Sequence, residues 1–286
     1  GRKVGERPYG YSSFAFDITD FLNDGDRNPV SVRLENLPES SRWYPGAGLY
    51  RHVRLVGLSP VHVAHWGTYV TTPEVGDREA TVVVRTEVEN HTRAEGITLR
   101  TTILDPDGRE VARASEPLTP EARCSTLHEF RVGSVRRWDI DSPQLYTVVS
   151  TLIDRGRVVD EYATPFGIRT FAFTPDGGFS LNGRRLKLQG VCLHHDLGPL
   201  GAAVNRQLEM MKAMGCNAIR TAHNPAAPEL LELCDRMGLL VMEESFDEWR
   251  IAKNRNGYAS LFDRWAERDL ADMIRRDRNH PSIIVW

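Results

Sequence analysis

The chain has no apolar run approaching the roughly 20 residues of a membrane-spanning helix, so no such span is expected. A dominant charge is missing too. Net charge is −3 over 286 residues, with acids and bases interspersed, and no basic footprint for nucleic acid results. Cysteine is sparse: Cys124, Cys192, Cys216 and Cys234 are scattered without a CxxC, which reads as reduced core thiols and favours the cytoplasm over a disulfide framework. No P-loop and no Lys/Arg cluster marks a phosphate site. The opening Gly1-Arg2-Lys3-Val4-Gly5 has neither a Met nor a signal-peptide layout and reads as the interior of a longer protein. The rest is ordinary for a globular chain, 41% hydrophobic and 26% charged, with length enough for two or three domains.

Residues 1–57 carry alternating segments, Ser12 to Ile18 and Val30 to Leu34, between Asn/Asp/Gly turns, and predict strands that form the last part of a β-sandwich. From 58 to 168 the β pattern continues. Ala80 to Glu89 alternates, and Asp105-Pro106-Asp107-Gly108 and Asp154-Arg155-Gly156-Arg157 predict hairpin turns. Roughly seven short strands in about 100 residues predict an immunoglobulin-like sandwich. Asn90-His91-Thr92 matches a glycosylation triplet, a pattern that chance often produces.

After residue 169 the period changes. Asn182-Gly183 closes a hairpin, then strands and helices alternate: strand Leu186–Leu193, helix Ala203–Met214, strand Ala218–Arg220, helix Pro228–Met237, strand Leu239–Met242, helix Leu261–Arg278 and strand Ser282–Trp286. The first helix is predicted to bury Val204, Leu208, Met211 and Met214, and the third Ala266, Leu270, Met273 and Ile274. Strands apolar on both faces and covered by helices predict a parallel sheet. Such steps fit half of an eight-stranded α/β barrel, with an open doubly wound sheet as the competing arrangement. A half barrel leaves unpaired edges at about 1–3 kcal/mol per buried unsatisfied group, against a total stability of about 5–15 kcal/mol. This too predicts a segment of a longer protein.

Polar groups follow each strand: His194, His195 and Asp196; Arg220, Thr221, His223 and Asn224; Glu243, Glu244, Asp247, Glu248 and Trp249. One-sided clustering of this kind is what a barrel active site requires. Adjacent His194 and His195 point in different directions, so a hydrogen-bonded loop competes with a metal motif there, and no metal ligands are assigned. Arg220 with Glu243 or Glu244 can be a structural ion pair, and Trp249 and Trp286 can be core or sugar-stacking platforms. Histidines, carboxylates and indoles around one concavity suit a neutral polyhydroxylated ligand.

Asn217-Ala218-Ile219-Arg220-Thr221-Ala222-His223-Asn224-Pro225, continuing from Cys234 through Glu244, together with Asp277-Arg278-Asn279-His280-Pro281-Ser282-Ile283-Ile284-Val285-Trp286, resembles two signatures of glycoside hydrolase family 2. Trp138 with Pro143-Gln144-Leu145-Tyr146 and the run Ser41 to Arg51 resemble that family's sandwich-to-barrel region and the end of its sugar-binding jelly roll. Within this family of β-galactosidases, β-glucuronidases and β-mannosidases, Gly190 to Gly198 and Phe246-Asp247-Glu248-Trp249 look most like bacterial β-galactosidases.

The resemblance implies a multidomain β and α/β chain. Residues 1–57 would be the end of a jelly-roll domain, 58–168 an immunoglobulin-like β-sandwich, and 169–286 the first half of a (β/α)8 TIM barrel. It implies retaining exo-hydrolysis of a terminal β-galactosyl residue by two carboxylates, with β-glucuronidase, β-mannosidase or a non-catalytic carbohydrate-binding module as alternatives. The acid/base would lie just past Trp286 and the nucleophile further on, so no catalytic residue is expected in the chain, and the segment is expected to be inactive alone. His194 and His223 would hold sugar hydroxyls, with Asn224, Asp247, Trp249 and Arg42 lining the pocket. The implied partner is a carbohydrate, a β-galactoside, with no nucleic acid or membrane partner and a homo-oligomeric parent. No cofactor is required, and the resemblance leaves room for magnesium or sodium in the parent. Bacterial galactosidases take a magnesium ligand pair, Glu-x-His, from the loop after the third strand; here Glu248-Trp249-Arg250 puts a cation in the ligand's place, which argues against that site.

Overall fold

The computed structural model describes residues 1–25, 27–42, 48–119, 121–194 and 204–286. Seven antiparallel strands follow one another from residue 61: β1 (Val61–Val75), β2 (Glu79–Asn90), β3 (Ile97–Leu104), β4 (Glu110–Pro117), β5 (Arg123–Gly133), β6 (Tyr146–Asp154) and β7 (Arg157–Phe166). They form two sheets, ordered β1-β2-β5 and β4-β3-β6-β7. The alternation expected in β2 is present: Val82, Val84, Thr86 and Val88 are buried, while Arg85 is exposed and Glu87 half-buried. The two sheets share one core, because Val82, Val84, Phe130 and Val132 of the first pack with Ile103, Tyr146, Val148 and Phe166 of the second. Burying a residue of this size stabilises by about 1.5–3 kcal/mol, which fixes the register of both sheets. Asn90 of the glycosylation triplet is buried. Its side chain holds the turn that follows, accepting from the Ala94 amide at 2.9 Å and donating to the Ala94 carbonyl at 3.0 Å.

A small antiparallel sheet follows, β8 (Phe171–Thr174), β9 (Gly178–Leu181) and β10 (Arg184–Arg185), turning at Asn182-Gly183 as expected. Then come β11 (Gly190–Leu193), α1 (Val204–Ala213), β12 (Ala218–Thr221), α2 (Pro228–Met237), β13 (Leu240–Met242), α3 (Ala259–Asp277) and β14 (Ile283–Val285). The strands are parallel and lie in sequence order, β11-β12-β13-β14. A doubly wound sheet would reverse direction at a switch point; this order does not.

Helix α2 shows why the sequence folds here. Pro228 opens its first turn, and Gly238 ends it in the left-handed region at φ 69°. A Cβ on Gly238 would collide with the Ile140 backbone, so glycine is required for space as well as conformation. Val204, Leu208, Leu230 and Leu231 from α1 and α2 cover Ile219, Val241 and Ile283 of the sheet.

Three expectations are corrected. The strand foreseen from Leu186 starts only at Gly190, because the Leu186 amide donates back to the Phe179 carbonyl at 3.0 Å and belongs to the preceding sheet. Met214 at the end of α1 is exposed, since it lies past the last helical residue, Ala213. In α3 the buried stripe is Phe262, Trp265, Asp269, Met273 and Asp277, whereas Leu270 and Ile274 are exposed. The buried acids explain the rotation, because each meets a buried arginine. Arg7 pairs with Asp269 at 2.7 Å, and Arg276 pairs with Asp277 at 2.6 Å.

The leading segment departs further. Among its described residues before Val61 there is one 3-10 turn, Thr19–Phe21, and no strand. Among the described residues Ser12–Ile18 and Val30–Leu34 have no sheet partner, and Val30, Val32, Leu34, Val53 and Leu55 are exposed. Alternation selects a face, but a strand also needs a neighbour for its backbone groups. The segment instead makes point attachments: Arg7 to α3, and Tyr9 in an aromatic cluster with Tyr258, Phe262 and Trp265.

Candidate functional site

The polar groups foreseen after the strands gather at the C-terminal ends of β11, β12 and β13. His194 follows β11, and His223 follows β12 two residues past Thr221. Their rings meet edge-on, with centroids 5.2 Å apart and planes at 79°. Arg220 projects from β12, pairs with Glu244, and reaches Cys192 Sγ at 3.4 Å. His223 Nδ1 stands 3.2 Å from Glu244 Oε2 and 3.3 Å from Arg220 Nη2. A guanidinium only donates and a carboxylate only accepts, so this ring nitrogen engages one of them at a time, according to tautomer. The Glu244 amide donates to Thr221 Oγ1 at 2.9 Å, tying the ends of β12 and β13 together. His195 and Asp196, and Trp43 to Ala47 of the jelly-roll match, lie outside the described residues.

Adjacent residues on a strand face opposite ways, and the two glutamates after β13 do so. Glu244 faces the histidines. Glu243 is 1% exposed and accepts from the Ala226 amide at 2.7 Å, leaving Oε2 buried with no hydrogen-bond partner among the described residues. Burial, reinforced by the nearby Asp277 carboxylate, pushes its pKa up to about 7. Of the two glutamates, Glu244 thus forms the ion pair foreseen with Arg220.

Asn224 joins this group through a residue the sequence did not single out. Tyr9 donates its hydroxyl to Asn224 Oδ1 at 2.6 Å and lies 2.8 Å from the Ser245 carbonyl. Its ring packs on Phe246 and Tyr258, at 5.5 and 4.4 Å between centroids. No periodicity marks Tyr9, since its partners are more than 200 positions away. Beyond Phe246, Asp247 forms a two-pronged pair with Arg42, at 3.1 and 2.5 Å, which brings the leading segment to the same rim. Burial opposes its charge, but Arg42 and Lys253 outweigh that and hold the carboxyl below its ordinary pKa. Trp249 is 62% exposed and stacks on Phe262 at 5.6 Å, presenting its other indole face outward; Trp286 is also exposed. The six foreseen lining residues therefore fall into a histidine group with Asn224 and an Arg42–Asp247–Trp249 group, with Tyr9 and Phe246 between them.

The magnesium-type position does not fit a metal. Glu248 is buried, and its two oxygens accept from the Lys253 amide at 2.7 Å and the Ala259 amide at 3.0 Å, the latter at the start of α3. Gly257 packs so closely on this carboxylate that a Cβ there would overlap it. Arg250 turns away to Asp263 at 2.6 Å. Glu248 thus acts as a helix cap.

The last signature is a seam. Asn279 accepts from the Val70 amide and donates to the Thr68 carbonyl, each at 2.9 Å, and Arg278 donates to the Trp66 carbonyl at 2.9 Å. His280 meets Asp235 at 2.5 Å, while the Trp138 indole donates to the Asp235 carbonyl at 2.8 Å. These groups fix the start of β14 relative to the sheets in front of it.

Parallel strands in sequence order, with histidines, carboxylates and an open indole at their C-terminal ends, define a segment of an α/β-barrel protein preceded by antiparallel sheets. Residues 61–169 match the sequence model described as glycosyl hydrolases family 2, and residues 174–286 match the one described as the TIM barrel domain of that family. The chain belongs to glycosyl hydrolase family 2. It is 47% identical to a protein of Bacteroides ovatus named beta-galactosidase BoGH2A, matching along 100% of this chain and 35% of that protein. It is 37% identical to a putative beta-glucuronidase of Formosa agariphila, over 100% of this chain and 28% of that protein. Among solved structures, a glycosyl hydrolase family 2 member from Bacteroides cellulosilyticus superposes with a TM-score of 0.89 at 40% identity, covering 97% of this chain and 37% of that one. The chain spans about a third of the length of the curated relatives it matches.

Proposed function

We propose that this chain supplies the sugar-holding wall of a retaining exo-β-galactosidase. Its three parts would be the end of a jelly-roll domain, an immunoglobulin-like sandwich and the first half of a (β/α)8 barrel. The observation that carries the reading is the edge-on meeting of His194 and His223 beside Glu244, at the ends of β11 and β12. Two imidazoles and a carboxylate offer fixed donors and acceptors to vicinal hydroxyls, and the exposed Trp249 face offers a platform to the apolar side of a sugar ring. The 47% identity to a protein named beta-galactosidase favours galactoside as the partner. The 37% identity to one named putative beta-glucuronidase supports glucuronide as the second reading.

Retaining hydrolysis needs a nucleophile and an acid/base about 5–5.5 Å apart. Glu243 is sealed against the Ala226 amide, and Glu244 is committed to Arg220, so neither is free for that work. In this reading the reacting carboxylates come from chain that is not in this sequence, and no cofactor is needed. The test is hydrolysis of nitrophenyl β-galactoside, β-glucuronide and β-mannoside by a protein carrying this chain at the full length of its relatives. Galactoside is expected to turn over fastest, with His223→Ala lowering kcat/KM at least 100-fold, about 2.7 kcal/mol. Preference for glucuronide moves the assignment to the second reading, and inactivity on all three leaves a carbohydrate-binding module. Turnover by the 286-residue chain itself would refute the placement of the carboxylates.

A further inference from the structure

Far from the barrel rim, at the open end of the β1–β2 hairpin pair, three ligand-type side chains converge on one sheet face. His62 on β1 is the register partner of Glu89 on β2, and His91 lies two residues past Glu89. Cross-strand partners share a face, and the turn after β2, held by the His91 amide on the Pro60 carbonyl at 3.0 Å, brings His91 beside them. His62 Nε2 lies 3.6 Å and His91 Nε2 3.4 Å from the same carboxylate oxygen, Glu89 Oε2, and one donor atom from each residue falls within 4.8 Å of the others. The rings stack at 5.5 Å, with 29° between planes.

We propose that His62, Glu89 and His91 form a binding site for a divalent transition metal ion, with zinc the fitting occupant. The first argument is protonation. His62 Nδ1 lies 2.8 Å from the Ser59 carbonyl, which can only accept, so Nδ1 carries the hydrogen. A neutral His62 therefore aims the lone pair of Nε2 at a carboxylate oxygen, acceptor against acceptor. A cation between them resolves that conflict. Orientation of a ligand histidine by a carbonyl on its other nitrogen is also the usual outer shell of a metal site.

The second argument is distance. Ligands about 2.0–2.1 Å from a tetrahedral zinc stand about 3.3–3.4 Å from each other, and the two histidine–glutamate separations are already close to this. Two imidazoles and one carboxylate form a ligand set that zinc accepts, with water in the fourth position.

The third argument is charge and rigidity. Arg123, the register partner of Glu89 on β5, gives its guanidinium to Glu87 at 2.7 Å instead. Glu89 would offset part of the charge of a doubly charged ion. His91 is held by its amide on the Pro60 carbonyl at 3.0 Å and by the Asn90-capped turn. The sequence hides the site because His62 and His91 are remote from each other along the chain and share no metal-binding motif.

The test uses the 286-residue chain stripped with chelator and titrated with Co2+, then Zn2+. One equivalent of Co2+ should bind with the d–d bands of a four- or five-coordinate site and be displaced by Zn2+. His91→Ala and the near-isosteric Glu89→Gln should each weaken binding by more than the roughly 10–100-fold that loss of an outer-shell partner costs. His91 is exposed, so its removal should leave the circular dichroism unchanged. His194→Ala should leave the affinity as it was. Absence of a saturable equivalent, unchanged affinity in His91→Ala, or loss in His194→Ala instead, would each overturn the assignment.

Discussion

Residues 61–166 and residues 1–60 carry the same kind of apolar alternation, yet the two regions are held in different ways. In the first, β2 finds β1 on one side and β5 on the other, so Val82, Val84 and Val88 reach a core closed by the second sheet. In the second, Val30, Val32 and Leu34 alternate equally well and remain exposed. What secures the leading segment is a few polar and aromatic anchors: Arg7 against Asp269 and Asp272, Tyr9 against Asn224, and Ser13 against Arg276 at 2.8 Å. The lesson is that alternation states which side of a chain wants burial, whereas burial itself depends on a partner that alternation cannot supply.

The comparison is broken most directly at Arg7, whose side chain is fully buried between two carboxylates. Arg7→Ala leaves Asp269 buried without its cation, and breaking such a pair costs roughly 3–5 kcal/mol. Urea unfolding should show that loss. A change below about 1 kcal/mol would mean that the anchor contributes little to holding the leading segment on α3.

Glu243 gives the next largest effect, and its sign is fixed by its raised pKa. A carboxyl that titrates at about 7 when folded, against 4.5 in the open chain, stabilises the fold while protonated, below about pH 4.5. That contribution is lost as pH rises through 7. Glu243→Gln stays neutral throughout, so it should remove a pH-dependent loss on the order of 3 kcal/mol between pH 4.5 and 8. Parallel melting curves of the two proteins across this range would show no deficit if the carboxyl is hydrated in solution.

The smallest effect sharpens the contrast from the exposed side. Leu55 is 85% exposed, and Leu55→Ser should shift stability by no more than about 0.5 kcal/mol. A destabilisation of 2 kcal/mol or more would show that this stretch is buried in solution.

Where local periodicity and local burial agree, the fold was legible. The hairpins at Asp154–Arg157 and Asn182-Gly183, the bounds of α2 and the order of the parallel strands all follow from nearest-neighbour chemistry. The face of α3 was not legible, because it buries Asp269 and Asp277 and exposes Leu270 and Ile274. Hydrophobicity alone reverses that choice; the arginines Arg7 and Arg276, with the Tyr258 and Ser12 hydroxyls on Asp269, make it favourable. The gathering of His194, His223 and Asp247 past the strand ends was legible because polar chemistry clusters after barrel strands. Tyr9 was not, since nothing near it in sequence announces that it will reach Asn224 and Ser245. Glu248 was set beside one residue of the relatives' metal-ligand pair and left without a role, and its use as the cap of α3 depends on a loop closure that spacing does not encode.

The seam built by Trp138, Asn279 and His280 carries one further implication. The indole of Trp138 occupies a carbonyl in the last turn of α2, and Gly167 lies where a side chain would collide with Pro281. Little room is left for a hinge between the antiparallel sheets and the strand ends that hold the histidines. Anyone exchanging the forward domain of this protein for that of another would have to transplant both faces of the joint together, or accept a pocket whose wall has slipped.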